Sequence, residues 1–288
     1  MENREKNRLE RSTLYLVGTP IGNLSDISER AIKVLNEVDF IAAEDTRNSM
    51  KLCAALGIKK ELVSYFEHNK KSSGERIVAR LLSGESCALV TDAGMPAVSD
   101  PGEDIVRLCA DAGINVSIIP GPCAAVSALA LSALPTARFT FEGFLPAQKS
   151  DRKKRLDALI REERTMIFYE APHKLKATLA DMCDAFGSER RVSLCRELTK
   201  LNEEVIRTTL GGAVLTYSEK EPRGEYVLVL DGIDKNNLLA EEENTLLSLS
   251  PSEHVNHYVN CGLSKMDAIK AAAKDRKIPK SEMYKLVL

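Results

Sequence analysis

The sequence has no tryptophan, and aromatic residues make up only 5% of its 288 residues. So few aromatic side chains argue against a strand-rich platform on which nucleic-acid bases stack. No uninterrupted apolar run approaches the ~20 residues that a membrane-spanning helix needs. The charged start, MENREKNRLERS, also has no apolar core of the kind found in signal peptides. Together these features predict a soluble, cytoplasmic protein.

Neither an excess of one charge nor a cysteine framework is present. The chain carries 40 basic and 42 acidic side chains, a net charge of −2, which excludes a globally basic coat protein for nucleic acid but not local basic patches. The 7 cysteines are odd in number, contain no CxxC pair and lie mostly in apolar runs. That pattern is typical of reduced, buried thiols and predicts neither disulfides nor a metal site.

Three widespread catalytic motifs are also missing. There is no GxGxxG fingerprint, no glycine followed by lysine as in a phosphate-binding loop, and no GxSxG nucleophile motif. His254 and His257 form an HxxH pair without the glutamate of a zinc protease. We expect them to lie in solvent or at a cap on a surface helix.

The order of apolar runs and helical patterns predicts an α/β protein. Strands predicted at Thr13–Val17, Phe40–Ala43, Cys87–Thr91 and Val116–Ile119 alternate with helices, which favours a parallel sheet covered by helices. A second α/β unit follows after Pro135. The chain is therefore divided into an N-terminal α/β domain (12–134), a C-terminal α/β domain (135–232), a linker (233–250) and a small helical module resembling a helix-turn-helix (251–288).

Three turns rich in glycine and proline follow strands of the first domain. They lie at 18–22 (GTPIG), 92–102 (DAGMPAVSDPG) and 120–125 (PGPCAA). Ligands bind at the carboxyl ends of strands in open α/β sheets, because backbone amides and helix N-termini converge there. Three such turns in one sheet predict a binding site.

Seven ordered blocks carry a resemblance to a known family. They are GTPIGNL, AEDTR, DAGMPAVSDPG, PGPCAA, YEAPHKL, RELTK and RGEYVLV. These blocks resemble the tetrapyrrole-methylase superfamily, and within it the branch that acts on ribosomal RNA. The resemblance covers about residues 12–232, with a further match to a helical C-terminal domain in 245–288.

The resemblance implies a fold, a reaction and a cofactor. Members have two α/β domains with S-adenosylmethionine bound in the cleft between them, and they pair into homodimers. The ribosomal branch methylates the ribose 2′-hydroxyl of one cytidine in the decoding region of 16S rRNA. Carried over by motif, the predicted cofactor contacts are Pro20 under the methionine end, Ala93, Gly94, Met95 and Val98 on one wall, Cys123 and Ala124 on the next, and Glu170 and Leu198 closing over the adenosine.

The AEDTR block supplies candidates for catalysis. Methyl transfer to a ribose hydroxyl needs an acceptor for the hydroxyl proton, and the block places two carboxylates just after a strand. We expect Asp45, or second Glu44, to accept the proton while Arg47 holds a phosphate. The alternative is that Asp45 and Arg47 only pair with each other at a helix N-terminus.

Several interpretations stay open at this stage. The run Lys149–Arg155 holds five basic residues in seven, and residues 252–288 carry a net charge of +3; these segments either contact RNA phosphates or are solvated. Arg196 and Lys200 either contact RNA or form interdomain ion pairs. The rival functions are a methyltransferase of the same fold acting on a small tetrapyrrole-like molecule and a non-catalytic ribosome-binding protein.

Overall fold

The computed structural model of the chain describes residues 8–234 and 246–287. It divides into two compact units: residues up to Leu156 together with Thr165–Asp231, and Asp157–Arg164 together with the residues from Gly232 onward. The four domain ranges predicted from the sequence stay a prediction. Residues 235–245 of the predicted linker lie outside the described residues.

A five-stranded parallel sheet lies in the first half of the chain. Its order is β3-β2-β4-β1-β5 and every pairing is parallel, as the alternating pattern predicts. The strands are β1 Thr13–Val17, β2 Phe40–Ala43, β3 Glu61–Ser64, β4 Cys87–Val90 and β5 Asn115–Ile119. The three central strands are entirely buried, because helices cover both faces of the sheet.

Five helices accompany this sheet, and side-chain caps begin the first two of them. They are α1 Glu29–Glu37, α2 Thr46–Ala55, α3 Lys70–Leu82, α4 Gly102–Asp111 and α5 Ala124–Leu131. The sequence pattern predicts that the first helix starts at Asp26, and this is wrong. Asp26 ends a short 3-10 turn, while Ser28 caps α1 by accepting the Ala31 amide proton.

A second five-stranded sheet follows, and it is mostly antiparallel. Its order is β6-β7-β10-β8-β9, and only β6 and β7 run parallel. The strands are β6 Phe139–Phe144, β7 Thr165–Glu170, β8 Arg191–Arg196, β9 Glu204–Thr209 and β10 Tyr226–Leu230, and the helices are α6 Lys149–Leu159, α7 Pro172–Phe186 and α8 Leu210–Glu219. The sequence does not predict α8, because its small and β-branched residues give no clear helical stripe. The charged run predicts a helix over Lys149–Arg164, and this is too long, since α6 ends at Leu159.

The basic run at the start of α6 is not uniformly solvated. Arg152 is buried: its guanidinium bonds the Asp181 carboxylate at 2.7 Å and the Ala147 carbonyl at 3.1 Å. Lys149, Lys153 and Lys154 are exposed. The run therefore combines one structural arginine with surface charges.

Helices of the second unit pack around their own apolar core. They are α9 Pro251–Asn260, α10 Lys265–Asp275 and α11 Lys280–Val287. The sequence predicts helix caps at Ser252 and Ser264. Ser264 caps α10 as predicted, but the prediction for Ser252 is wrong, because Ser250 caps α9 in a full capping box with Glu253. The core consists of Val255, Ala268, Ile269, Ala272, Ala273 and Met283. Within the described ranges, the structure contains no helix with the length and apolarity that a bilayer crossing requires.

His254 corrects the expectation of a solvated HxxH pair. Its side chain is fully buried, its Nε2 lies 3.2 Å from Asp275, and its Nδ1 accepts a hydrogen bond from Arg276 at 3.1 Å. Tyr258 stacks on the imidazole and donates to the same aspartate. An imidazole that accepts a bond from a guanidinium is held in its neutral form.

We expect protonation of His254 to destabilise this unit. Burial, the Arg276 charge and the nearby His257 lower the pKa of His254 below its usual 6.5, against the opposing effect of Asp275. The unfolded chain therefore binds this proton more readily, so stability is complete above about pH 6.5 and falls as the pH drops below it. An NMR titration of the imidazole should give a midpoint below 6.5, and His257→Gln assigns the two signals. A midpoint above 6.5 would contradict the assignment.

Candidate active site

One cleft in the first unit brings the sequence-predicted residues together. It has a volume of about 610 Å³ and is lined by both α/β halves. Among its lining residues are eight of the nine predicted cofactor contacts: Ala93, Gly94, Met95, Val98, Cys123, Ala124, Glu170 and Leu198. The ninth, Pro20, is not part of the lining, and its neighbour Ile21 is. The binding roles of all nine stay a prediction.

The loop after β4 forms one wall of the cleft in a strained conformation. Gly94 has φ +86°, and it exchanges two backbone hydrogen bonds with Thr19, of 2.9 and 3.1 Å. Ala97 and Ser99 also have positive φ, at +66° each. Asp100 supports this conformation by accepting the amide protons of Ala97 and Gly102. Strain that is held in place in this way is typical of functional loops.

The glycines of the first and third turns allow the backbones to touch. A Cβ on Gly18 would lie 2.7 Å from both the Cα of Gly121 and the sulfur of Met95. The Gly121 amide in turn donates to that sulfur at 3.2 Å. Glycine is therefore required at both turns by close packing, as well as by any ligand.

The second α/β half closes the other wall with side chains that the motifs only partly predict. Glu170 ends β7, is 5% exposed, and accepts hydrogen bonds from the Ala171 amide at 2.8 Å and the Thr178 hydroxyl at 2.5 Å. Five further residues line the cleft that are not among the predicted contacts: Phe144, Tyr169, His173, Tyr226 and Val227. Four of these lie inside the quoted blocks, Tyr169 and His173 in YEAPHKL and Tyr226 and Val227 in RGEYVLV, so the blocks contained the signal.

Two carboxylates of the first half reach the cleft at the ends of β2 and β4. Glu44 lines the cleft and accepts a hydrogen bond from the Thr91 hydroxyl at 2.6 Å. Asp92 lines it too, and the Asn48 amide donates to it at 3.2 Å. Partial burial of the Asp92 carboxylate and the negative charges of Glu44 and Asp45 nearby raise the pKa of Asp92 above its usual value.

Asp45 and Arg47 pair with each other, as the alternative interpretation of AEDTR has it. Asp45 caps α2 and accepts hydrogen bonds from the backbone and the guanidinium of Arg47, at 2.6–3.2 Å. The Arg47 side chain is otherwise 85% exposed. Those hydrogen bonds lower the pKa of Asp45 to about 2, and Asp45 is not part of the cleft lining. A carboxylate held in this way is a weak base.

The RELTK segment makes its ion pairs inside the second α/β half. Arg196 bonds Glu204, and Lys200 bonds Glu197 and Glu225 at 2.9 and 2.7 Å. Of the two alternatives left open for these side chains, interdomain ion pairs are therefore wrong. The residues between them instead pack against the first half at Gly22, where a Cβ would clash with Lys200.

Gly22→Ala is expected to weaken ligand binding in the cleft. The new Cβ would lie 2.9 Å from the Thr199 hydroxyl and 3.1 Å from the carbonyl of Leu198, a residue of the cleft wall. Overpacking of this kind costs about 1–3 kcal/mol, and 1.4 kcal/mol is tenfold in affinity. For S-adenosylmethionine, the cofactor that the family resemblance predicts, we therefore expect about a tenfold loss of affinity by calorimetry.

A double variant supplies the control for Gly22→Ala. The Thr199 hydroxyl is buried without a hydrogen-bond partner among the described residues, so Thr199→Ala alone should leave affinity unchanged. In the double variant, Thr199→Ala removes the hydroxyl that the new Cβ at position 22 would contact. The double variant should therefore regain part of the lost affinity, because the effects of contacting residues are not additive. Unchanged affinity in Gly22→Ala would show that this contact does not position the cleft wall.

The fold and the cleft define the class of protein. A family model described as Tetrapyrrole (Corrin/Porphyrin) Methylases matches residues 13–214. Two solved structures share the fold. Uroporphyrin-III-C-methyltransferase from Thermus thermophilus has a TM-score of 0.55 and 21% sequence identity, and the match covers 76% of this chain and 94% of that one. A diphthine synthase has a TM-score of 0.58 and 15% identity, and the match covers 76% of this chain and 90% of that one.

Closer relatives narrow the class. Ribosomal RNA small subunit methyltransferase I of Halalkalibacterium halodurans is 48% identical over 281 residues, which is 98% of this chain and 96% of the relative. The Bacillus subtilis protein of the same name is 49% identical over 271 residues, 94% and 92% of the two chains. The chain belongs to the ribosomal RNA small subunit methyltransferase I family of the tetrapyrrole methylases.

Proposed function

We propose that the protein transfers a methyl group from S-adenosylmethionine to the ribose 2′-oxygen of a cytidine in the decoding region of 16S rRNA. The names of relatives that are 48–49% identical over nearly the whole chain support the rRNA substrate. The family resemblance supports the cytidine and its 2′-oxygen. By the same resemblance we propose a cytoplasmic homodimer that acts on the small ribosomal subunit.

The charge of the cleft lining is the observation that carries the cofactor assignment. No lysine or arginine of the described chain lines the cleft. Five acidic residues do: Glu44, Asp92, Asp100, Glu170 and Glu225. A phosphate-bearing cofactor would need cationic partners, whereas the sulfonium and ammonium groups of S-adenosylmethionine suit an acidic cleft. Its volume of about 610 Å³ lies within the usual range for ligand pockets, about 300–1,000 Å³.

S-adenosylmethionine would supply an electrophilic methyl group on a cationic sulfur. The turn residues Gly94 and Met95 and the buried Glu170 would hold it, because they combine backbone polar groups, small size and a fixed carboxylate. The chain's remaining task is to orient the ribose hydroxyl and to accept its proton. Glu44 lies in the cleft with its carboxylate oriented by Thr91, so we propose Glu44 as the acceptor ahead of Asp45.

Exposed lysines supply the contacts expected for an RNA backbone. Lys149, Lys153 and Lys154 project from α6. In the second unit, six lysines are exposed and form no ion pair within the described chain: Lys265, Lys270, Lys274, Lys277, Lys280 and Lys285. Such side chains favour phosphate contacts, which a methylase acting on a small tetrapyrrole-like molecule does not need.

The product identifies the reaction. 16S rRNA from cells that lack the protein, and from the same cells with the protein restored, is compared by mass spectrometry of nuclease fragments and by alkaline cleavage. The proposal expects one additional methyl group, and resistance of the phosphodiester next to that cytidine. A methylated fragment that stays fully alkali-labile would exclude the ribose, and absence of any difference would exclude this RNA as substrate.

A further inference from the structure

One aromatic side chain of the cleft lining is more exposed than the two tyrosines of that lining, Tyr169 and Tyr226. Phe144 lines the cleft, yet 58% of it is accessible to solvent. Ligand clefts are lined mainly by apolar and aromatic side chains, so an exposed ring in this lining is available to a group that binds in the cleft.

A β-bulge in β6 determines the direction of this ring. Phe141 pairs with Ile167, Gly143 with Phe168 and Phe144 with Tyr169, which leaves Glu142 without a partner in the register. In a regular strand, residues three apart point to opposite faces. Because the bulge inserts one residue, Phe141 and Phe144 stand two register steps apart and share a face.

The ring contacts agree with this geometry. Phe141 and Phe144 both meet the Tyr169 ring edge-on, with centroids 5.0 and 5.5 Å away. Gly143 has φ +64°, and a Cβ there would lie 3.3 Å from the Ser99 hydroxyl of the cleft loop. Bulges that re-aim a side chain are frequent beside active sites. The strand thus holds Phe144 at the cleft while one of its surfaces stays open.

We infer that Phe144 is the surface on which the nucleobase of the target nucleotide stacks while its ribose enters the cleft. This inference rests on the proposed function, because it requires an RNA substrate. Any base can stack on an aromatic ring, so Phe144 would contribute to the affinity for the nucleotide, and other contacts would recognise the RNA sequence. The exposed Lys149, Lys153 and Lys154 follow Phe144 closely in the chain and suit the adjoining phosphates.

The absence of tryptophan from the sequence makes a direct test possible. Phe144→Trp places a single indole at the cleft, and its fluorescence should be quenched when a short RNA containing the target cytidine is added. The same RNA with an abasic target position should bind, as followed by anisotropy of a labelled strand, but quench much less. Phe139→Trp, at the start of the same strand and 41% exposed, serves as the matched control and should not respond.

Steady-state kinetics with small ribosomal subunits as substrate test the role of Phe144 without relying on a short RNA. Stacking contributes about 1–3 kcal/mol per base, so Phe144→Ala should raise KM for the subunit about tenfold while cofactor affinity stays unchanged. Phe144→Tyr should restore KM. An unchanged KM in Phe144→Ala, quenching by S-adenosylmethionine alone, or a shift to monomers in sedimentation would each overturn the inference. The proposed function fails separately, if the unaltered protein methylates no ribose.

Discussion

Gly94→Trp is expected to reduce binding of S-adenosylmethionine below detection, a loss of at least about a thousandfold in affinity. Gly94 lines the cleft with φ +86°, and a Cβ there already lies 3.3 Å from Ile21. An indole has no space behind the loop and must enter the cleft, where it takes the volume of the ligand. Isothermal calorimetry on the folded variant measures the effect.

A tryptophan at a second glycine is the control, because it introduces the same backbone strain without blocking the cleft. Gly57 has φ +69°, and nothing lies within 4 Å of a Cβ placed there. Left-handed backbone costs a non-glycine residue about 1–2 kcal/mol, so Gly57→Trp should lose comparable stability yet bind the cofactor normally. Circular dichroism should show that both variants are folded. If the folded Gly94→Trp variant then binds S-adenosylmethionine as tightly as the unaltered protein, the loop after β4 is not part of the cofactor site.

Glu44→Gln is expected to lower kcat for methyl transfer by about 10²–10⁴, the range for a positioned general base. Glutamine keeps the length of the side chain and can still accept the hydrogen bond from Thr91, but it takes up no proton. Cofactor affinity should therefore change little. Single-turnover rates on small ribosomal subunits, with labelled S-adenosylmethionine, give the chemical step.

Asp45→Asn is the matched control one residue away. Asp45 caps α2 and pairs with Arg47, and its pKa is about 2. Asparagine also caps helices well, so this variant should keep most of its turnover. A loss of about 10² or more in Asp45→Asn, with full activity in Glu44→Gln, would return the proton acceptor to Asp45.

Local patterns were sufficient for most strands and helices of the first α/β half. Runs such as Thr13–Val17 and Phe40–Ala43 became strands with the predicted bounds, because buried parallel strands are continuous apolar segments between turn residues. Helix α8 is capped by the Thr209 hydroxyl, which accepts the Gly212 amide proton, but its small and β-branched residues give no helical stripe that the sequence could reveal. Helix α6 ends at Leu159, five residues before the predicted Arg164, because the charged pattern contains no signal for its end.

The sequence by itself determined which turns meet at the cleft. Glycine and proline after consecutive parallel strands bring Gly94, Met95, Cys123 and Ala124 to one edge, since the carboxyl ends of those strands share that edge. Composition also indicated buried thiols: Cys53, Cys87, Cys109 and Cys195 are buried, and none of the seven cysteines forms a disulfide.

Only the tertiary structure decided what each charged and aromatic side chain does. Arg152 and His254 look like surface residues in the sequence, yet each is buried against carboxylates supplied by another helix. Glu44 reaches the cleft while Asp45, its neighbour, turns to Arg47. Phe144 faces the cleft through a bulge that no local pattern announces. Such roles depend on partners far apart in the chain, and local propensity carries no information about those partners.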